Sequence, residues 1–190
     1  SAVARWTAQG KTIAYCLATS GEAGIDSLQP DACARLRQDD ERRSAAAVGV
    51  TEVEFLGHPD GLVEAGIALR RDLAGAIRRH RPEVLIGINF REGWPGGWNH
   101  ADHRVVGRAL LDAVRDAANP WVFPDRGAAW SGVRFVAFNG SPQPTHAVDV
   151  TDTFDAGVRS LSAHAMYLEH LGGHMASPDE FLRGTALKPD

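Results

Sequence analysis

The sequence predicts an α/β fold: a mostly parallel sheet with helices on both faces. Two observations carry this. Short apolar runs rich in β-formers alternate with longer segments of helical period, the pattern of βαβ units joined by right-handed crossovers. The breaks between them hold Gly, Pro, Ser and Asp clusters of turn composition. A length of 190 residues, with 44% hydrophobic and 23% charged residues, suits one soluble domain with a real core.

The elements follow in order. Ala2-Val3-Ala4-Arg5-Trp6-Thr7-Ala8-Gln9-Gly10 reads as the second half of an amphipathic helix closed by glycine. Residues 11–19 (KTIAYCLAT) form a short apolar run with β-formers, expected to be a buried strand. Residues 31–48 are expected to be a helix closed by Gly49, and residues 51–56 (TEVEFL) a strand. Residues 67–80 carry Leu69, Leu73, Ala76 and Ile77 at helical spacing, and Pro82 ends that helix. Residues 83–89 (EVLIGIN) are the most strongly apolar strand. A helix to about residue 118 follows, then strands at 133–138 and 145–150, a helix over 151–170, and a short helix at 177–182. A chain that starts on a helix without a strand before it is an odd opening for this pattern. An upstream strand and loop are therefore expected, and the last residues, Ala186-Leu187-Lys188-Pro189-Asp190, also stop without an obvious terminus.

Bulk properties narrow the function. A net charge of −4 gives no basic footprint, so nucleic acid is not an expected partner. No run reaches membrane-spanning length. Two cysteines, Cys16 and Cys33, cannot build a disulfide framework. With Cys16 expected in the core, they suit a reducing, cytoplasmic setting. No Gly-x-Gly-x-x-Gly or phosphate-cradling lysine pattern follows a strand, which argues against a nucleotide-binding function.

In a parallel α/β sheet, ligands bind outside the carboxyl ends of the strands. Three strand-to-helix loops lie at that edge, with Glu22, Asp26, His58, Asp60, Glu64, Glu92 and His100. The last of them leads into Trp98-Asn99-His100-Ala101-Asp102-His103-Arg104, which places two histidines and a carboxylate within four positions. A helix beginning near Asp102 would use it as N-cap, and the positive helix end would favour the neutral, metal-binding imidazole. Taken alone, the stretch is equally an N-cap aspartate beside two surface histidines. His100, His103, Glu22 and Asp60 are expected in one cleft.

Several short motifs, in this order and spacing, resemble the LmbE-like family of zinc-dependent de-N-acetylases. That family includes N-acetylglucosaminyl-phosphatidylinositol deacetylases and mycothiol-pathway enzymes. The motifs are Thr19-Ser20-Gly21-Glu22-Ala23-Gly24, the helix from Arg37 to Gly49-Val50, and Phe55-Leu56-Gly57 with Pro59-Asp60-Gly61. Arg81-Pro82-Glu83-Val84 and above all His100-Ala101-Asp102-His103 complete them. The resemblance implies a Rossmann-like fold over residues 1–190 as a single domain, with its first strand and metal loop missing. It implies zinc, or another divalent metal, held by His103. His100 would polarise the carbonyl and stabilise the oxyanion or donate a proton, and Asp102 would orient His100. Two further ligands and the general base belong to a His-Pro-Asp-Asp motif that this chain lacks. His58-Pro59-Asp60-Gly61 follows a later strand and has glycine where the second aspartate belongs, so it resembles the family's separate loop near the substrate.

For substrate, the resemblance assigns Arg37, with Glu22, Asp60 and Trp98 on the same side. The plain alternatives are an exposed Arg37–Glu41 pair, a loop carboxylate and tryptophans (Trp94, Trp98) that anchor their loop. His146 and His164 are expected to be structural, and His80, His170 and His174 to lie at surfaces or helix ends. The implied reaction is hydrolysis of an acyl group, acetyl first, from an N-acylated amino sugar or related small amide. A non-catalytic homologue that binds such a molecule is the alternative, and a homo-oligomer is left open. With one family ligand present, the 190-residue chain alone is expected to bind zinc weakly.

Overall fold

The computed structural model describes residues 1–94 and 97–185. Pro95, Gly96 and residues 186–190 lie outside them, and so does the reading of the chain end. The helices are α1 (Ala2–Ala8), α2 (Pro30–Ala47), α3 (Ile67–His80), α4 (Ala101–Ala118), α5 (Phe154–Ser162), α6 (Ala165–Leu171) and α7 (Pro178–Thr185). The strands are β1 (Ala14–Leu17), β2 (Glu52–Phe55), β3 (Val84–Ile88), β4 (Gly93–Trp94), β5 (Gly97–Trp98) and β6 (Phe135–Asn139). Two compact units result, one from Ser1–Phe55 with Ala147–Asp190 and one from Leu56–His146.

In the first unit β1 and β2 run parallel, with Ala14 opposite Glu52 and Leu17 opposite Phe55. Its core gathers Ala4, Ala45, Val48 and Val50, with Ile13, Tyr15 and Val53 packed against them. The end of α2 is closed as the sequence predicts. Gly49 takes φ +82°, its N–H reaches Ala46 O, and the Val50 N–H reaches Ala45 O. This double bond needs a left-handed residue that glycine adopts without strain. The Thr7 hydroxyl adds a 2.7 Å bond to Val48 O.

In the second unit β3 and β6 are parallel partners, Val84 opposite Phe135 through Ile88 opposite Asn139. Helices α3 and α4 pack over them through Leu69, Leu73, Ala74, Ile77, Ala109, Ala113 and Ala117. Alanines on α4 let its backbone come close, and Gly107 goes further. A Cβ there would lie 2.5 Å from the Phe90 Cβ. Arg78, buried on α3, closes the far end of α4. Its guanidinium donates to the carbonyls of Asp116, Ala117, Asn119, Val122 and Phe123 at 2.5–3.1 Å. Asp116 and Ala117 lie in the last turn of α4, where helix carbonyls need partners from outside the helix, and the other three belong to the chain that leaves it.

The α/β class stands, and several local expectations change. Residues 145–150 form no strand, and residues 151–170 divide into a 3₁₀ turn, α5 and α6, with a break at Ala163 and His164. The glycine-rich loop closes as a two-residue antiparallel ladder between β4 and β5. The most apolar strand is not buried on both faces. Leu85 packs against the core while Val84, Ile86 and Ile88 are exposed, because alternate residues of a strand point to opposite faces. Cys16 is exposed for the same reason and does not belong to the core, whereas Cys33 is buried; neither forms a disulfide.

Candidate active site

The histidine stretch is built by two buried asparagines. Asn89 ends β3 and bonds the loop that follows. Its Oδ1 accepts the Arg91 N–H at 3.0 Å and its Nδ2 donates to Gly93 O at 3.2 Å. Asn99 ties the returning chain to it, with Nδ2 donating to Asn89 O at 2.6 Å and to Arg91 O at 2.9 Å. Both Asn99 amide protons are thus used on carbonyls, so its Oδ1 faces the His103 Nδ1 at 3.0 Å as an acceptor. His103 must then carry its proton on Nδ1, which leaves the Nε2 lone pair to bind something else. Glu92 fastens the loop to α4 from outside through Arg104 and Arg108.

Helix α4 starts two residues earlier than an Asp102 cap requires. The N-cap is His100, whose Nδ1 accepts the Asp102 backbone N–H at 3.3 Å. Asp102 is therefore inside the first turn rather than capping it. Its buried carboxylate instead accepts the N–H groups of Gly61 at 2.7 Å and Val63 at 3.2 Å. This pins the turn that carries Asp60 against the histidine helix. The tie between Asp102 and His100 runs through the backbone. With Nδ1 accepting, the neutral His100 ring presents an Nε2–H donor.

The two imidazole rings stand 5.5 Å apart, centre to centre. The edge of Trp94 meets His103 at 6.3 Å, and the same indole lies against Gly140. Burial pushes the His103 pKa below its ordinary value and the neighbouring His100 adds to this; Asp102 and Asp60 oppose it. Burial dominates because a half-buried imidazolium loses hydration that two carboxylates do not replace. The ring is held neutral, the form a metal binds.

His100, His103, Asp102 and Asp60 thus come together in the second unit. Trp98 sits on β5 and is 86% exposed. His58 stands with Nε2 3.3 Å from Asp72 Oδ2 on α3. Glu22 and Arg37 belong to the first unit. The Glu22 carboxylate accepts the Ser20 N–H at 3.1 Å. Arg37 is not simply paired with Glu41 at a surface. Its guanidinium lies over the Tyr167 ring at 3.9 Å and its Nη1 is 3.3 Å from His164 Nδ1. His164 is 9% exposed. His146 is exposed beside Thr145, His80 closes α3, and His170 stands 3.7 Å from Asp26.

Asn89, Asn99 and His164 were missed as site-builders by sequence reasoning. Asn99 had a signal: it stands one helical turn before His103. As donors for a metal, the residues fit in kind, since His103 offers a neutral nitrogen whose other ring position is held by an amide oxygen. They do not complete a set. Among the described residues, no group of three His, Cys, Asp or Glu side chains is placed to hold an ion.

The family model for GlcNAc-PI de-N-acetylase (PIG-L) matches residues 1–114. The chain belongs to this family. Diacetylchitobiose deacetylase of Thermococcus kodakarensis is 25% identical over 169 residues, which cover 85% of this chain and 61% of that protein. A 1D-myo-inositol 2-acetamido-2-deoxy-alpha-D-glucopyranoside deacetylase of Saccharopolyspora erythraea is 26% identical, over 67% of this chain and 55% of that enzyme. This PIG-L chain therefore spans roughly three fifths of the length of such relatives. In structure it matches N,N'-diacetylchitobiose deacetylase from Pyrococcus horikoshii with a TM-score of 0.83, covering 96% of this chain and 68% of that one at 21% identity. That agreement establishes the fold. Among the described residues, no helix is long and apolar enough to cross a membrane.

Proposed function

We propose that this PIG-L chain is part of a metal-dependent deacetylase that hydrolyses the N-acetyl group of an amino sugar. The observation that carries it is the pair at the start of α4. His103 has its proton fixed on Nδ1 by Asn99 and is kept neutral by burial; His100 has its acceptor nitrogen occupied by the Asp102 N–H. One ring is thereby prepared as a metal ligand and its neighbour as a hydrogen-bond donor. The deacetylase names of the curated relatives supply the substrate class.

In this reading His103 is one ligand of a zinc ion. Zinc, when bound, lowers the pKa of water and polarises an amide carbonyl. The chain's own residues do the rest of what can be assigned. The Nε2–H of His100 donates to the carbonyl oxygen as negative charge grows there. Asp102 fixes the ring that donates and the turn that carries Asp60. Of the residues assigned to the substrate, Asp60 and Trp98 belong to the second unit, and the exposed Trp98 face offers a flat apolar surface for a pyranose ring. Arg37 and Glu22, in the first unit, are assigned to the substrate by the family resemblance.

The test uses the intact protein, with N,N′-diacetylchitobiose as probe. His103→Ala should lose zinc and acetate release together. His100→Ala should retain zinc while the rate falls on the order of 10²–10³-fold, the usual cost of one oxyanion donor. Zinc lost from His100→Ala but kept by His103→Ala reverses the assignment. Disaccharide binding without acetate release in the wild type supports the non-catalytic alternative.

A further inference from the structure

Outside the histidine site, the most constrained polar group is the ring of His164. It sits at the break between α5 and α6, where the chain leaves helical geometry at φ −91°, ψ 39°. Its two nitrogens face two residues one turn apart on α2: Nδ1 faces Arg37 Nη1 at 3.3 Å, and Nε2 faces Glu41 Oε2 at 3.6 Å. Arginine has donors only, so Nδ1 must accept, and the ring proton lies on Nε2 toward the carboxylate. The order Arg37, His164, Glu41 therefore admits one tautomer and excludes imidazolium, which would set N–H against N–H. Burial, and after it Arg37, also lower the His164 pKa.

Three surfaces determine where the guanidinium lies. The Tyr167 ring covers one face at 3.9 Å. Gly21 leaves room on another side; a Cβ there would stand 3.3 Å from Arg37 Nε. His164 lies within hydrogen-bond distance of its Nη1, and the buried Nε has no hydrogen-bond partner among the described residues. A guanidinium has five N–H donors. One so firmly placed and so sparsely bonded within the protein is prepared for an outside acceptor.

We propose that His164 is the positioning residue for Arg37: by accepting from Nη1 it aims the remaining guanidinium donors at the oxygens of the bound sugar. This rests on the reading in which Arg37 holds substrate. His164 lies beyond the residues matched by the family model, which end at 114. Glu41, 3.6 Å from Nε2, lies one step further back, and its carboxylate favours a proton on that nitrogen electrostatically.

Three variants of the intact protein test this: Arg37→Ala, His164→Leu and His164→Asn, the last keeping an acceptor near the Nδ1 position. With N,N′-diacetylchitobiose, Arg37→Ala and His164→Leu should each raise KM by about tenfold, the value of one charge-assisted hydrogen bond, with kcat within about twofold. The double variant should be no worse than Arg37→Ala, and His164→Asn should recover most of the loss. Nitrogen-15 NMR of the wild type should show a neutral His164 with Nε2 protonated. The Arg37 Nε–H signal should shift in His164→Leu and return toward its place in His164→Asn. If Arg37→Ala raises KM while His164→Leu changes neither KM nor the Arg37 signal, the positioning role is wrong and the substrate role of Arg37 survives. If Arg37→Ala leaves KM unchanged, the substrate role falls and the positioning role with it. An Nδ1-protonated ring, or additive losses in the double variant, overturns the proposal alone.

Discussion

The two units build their polar sites by opposite routes. In the second unit the histidine site comes from residues 89–103 and the turn at 60–63. Most of its bonds span fewer than fifteen residues, and backbone groups make the majority of contacts. In the first unit the cluster of Arg37, Glu41, His164 and Tyr167 joins α2 to a helix break more than 120 residues later, and side chains meet side chains. A site of the first kind is defined once its loop closes. One of the second kind exists only when α5 has docked on α2, where Ser44 and Ser160 meet at 2.8 Å. The lesson is that a readable motif marks a local site, and a charged residue with a dull local explanation can belong to a distant one.

The largest expected effect tests whether the histidine site depends on its scaffold. Arg78→Met removes a buried cation that bonds five carbonyls. Those of Asp116, Ala117, Asn119 and Phe123 keep a backbone N–H donor, while that of Val122 loses the donor Arg78 gave it. It should cost about 2–3 kcal/mol, the usual loss when hydrogen bonds from a charged donor are removed and a partly buried acceptor is left unsatisfied. Urea denaturation measures this. A loss under about 1 kcal/mol would mean water replaces the guanidinium without difficulty.

A smaller effect separates orientation from folding. Asn99→Ala frees the His103 ring to rotate and change tautomer. Zinc affinity of the intact protein, read by competition with a chromophoric chelator, should fall about 10–100-fold, as outer-shell partners of metal-bound histidines typically dictate. An unchanged affinity would show that the helix start alone orients the ring.

The smallest effect concerns the distant cluster and depends on pH. His164 has a folded-state pKa below its ordinary 6.5. As pH falls past that value the unfolded chain takes up a proton that the folded chain resists, so stability present above it is lost on acidification. One proton sets a ceiling of about 1.4 kcal/mol per pH unit. Glu41, whose carboxyl is raised by burial with Arg37 opposing, works in the other direction from its ordinary 4.5 upward, and Asp40 and Arg43 also face the ring. Stability measured from pH 7 to pH 5 should therefore decline less steeply in His164→Asn than in the wild type. Equal slopes would show that the ring takes up its proton normally in the folded protein.

Periodicity and punctuation determined most of the elements by themselves, though not the absence of a strand at 145–150 or the division of residues 151–170. Residues 67–80 were bounded correctly because apolar spacing, an αL residue at Arg81 and Pro82 all act within one turn. Strand and helix alternation determined the α/β class for the same local reason. His-x-Asp-His marked the candidate site, since both rings lie at one helix start whatever packs around it. Tertiary structure decided what those side chains do. It moved the cap from Asp102 to His100, because the Asp102 carboxylate accepts two N–H groups, one of them buried, from a turn 39–41 residues earlier. It exposed one face of β3, because hydropathy records how apolar a strand is and not which of its faces another element covers. It also gave Arg37 a tyrosine face and a histidine acceptor that no spacing in the sequence encodes. Their partners lie on an element whose docking depends on the apolar and small residues between α2 and α5.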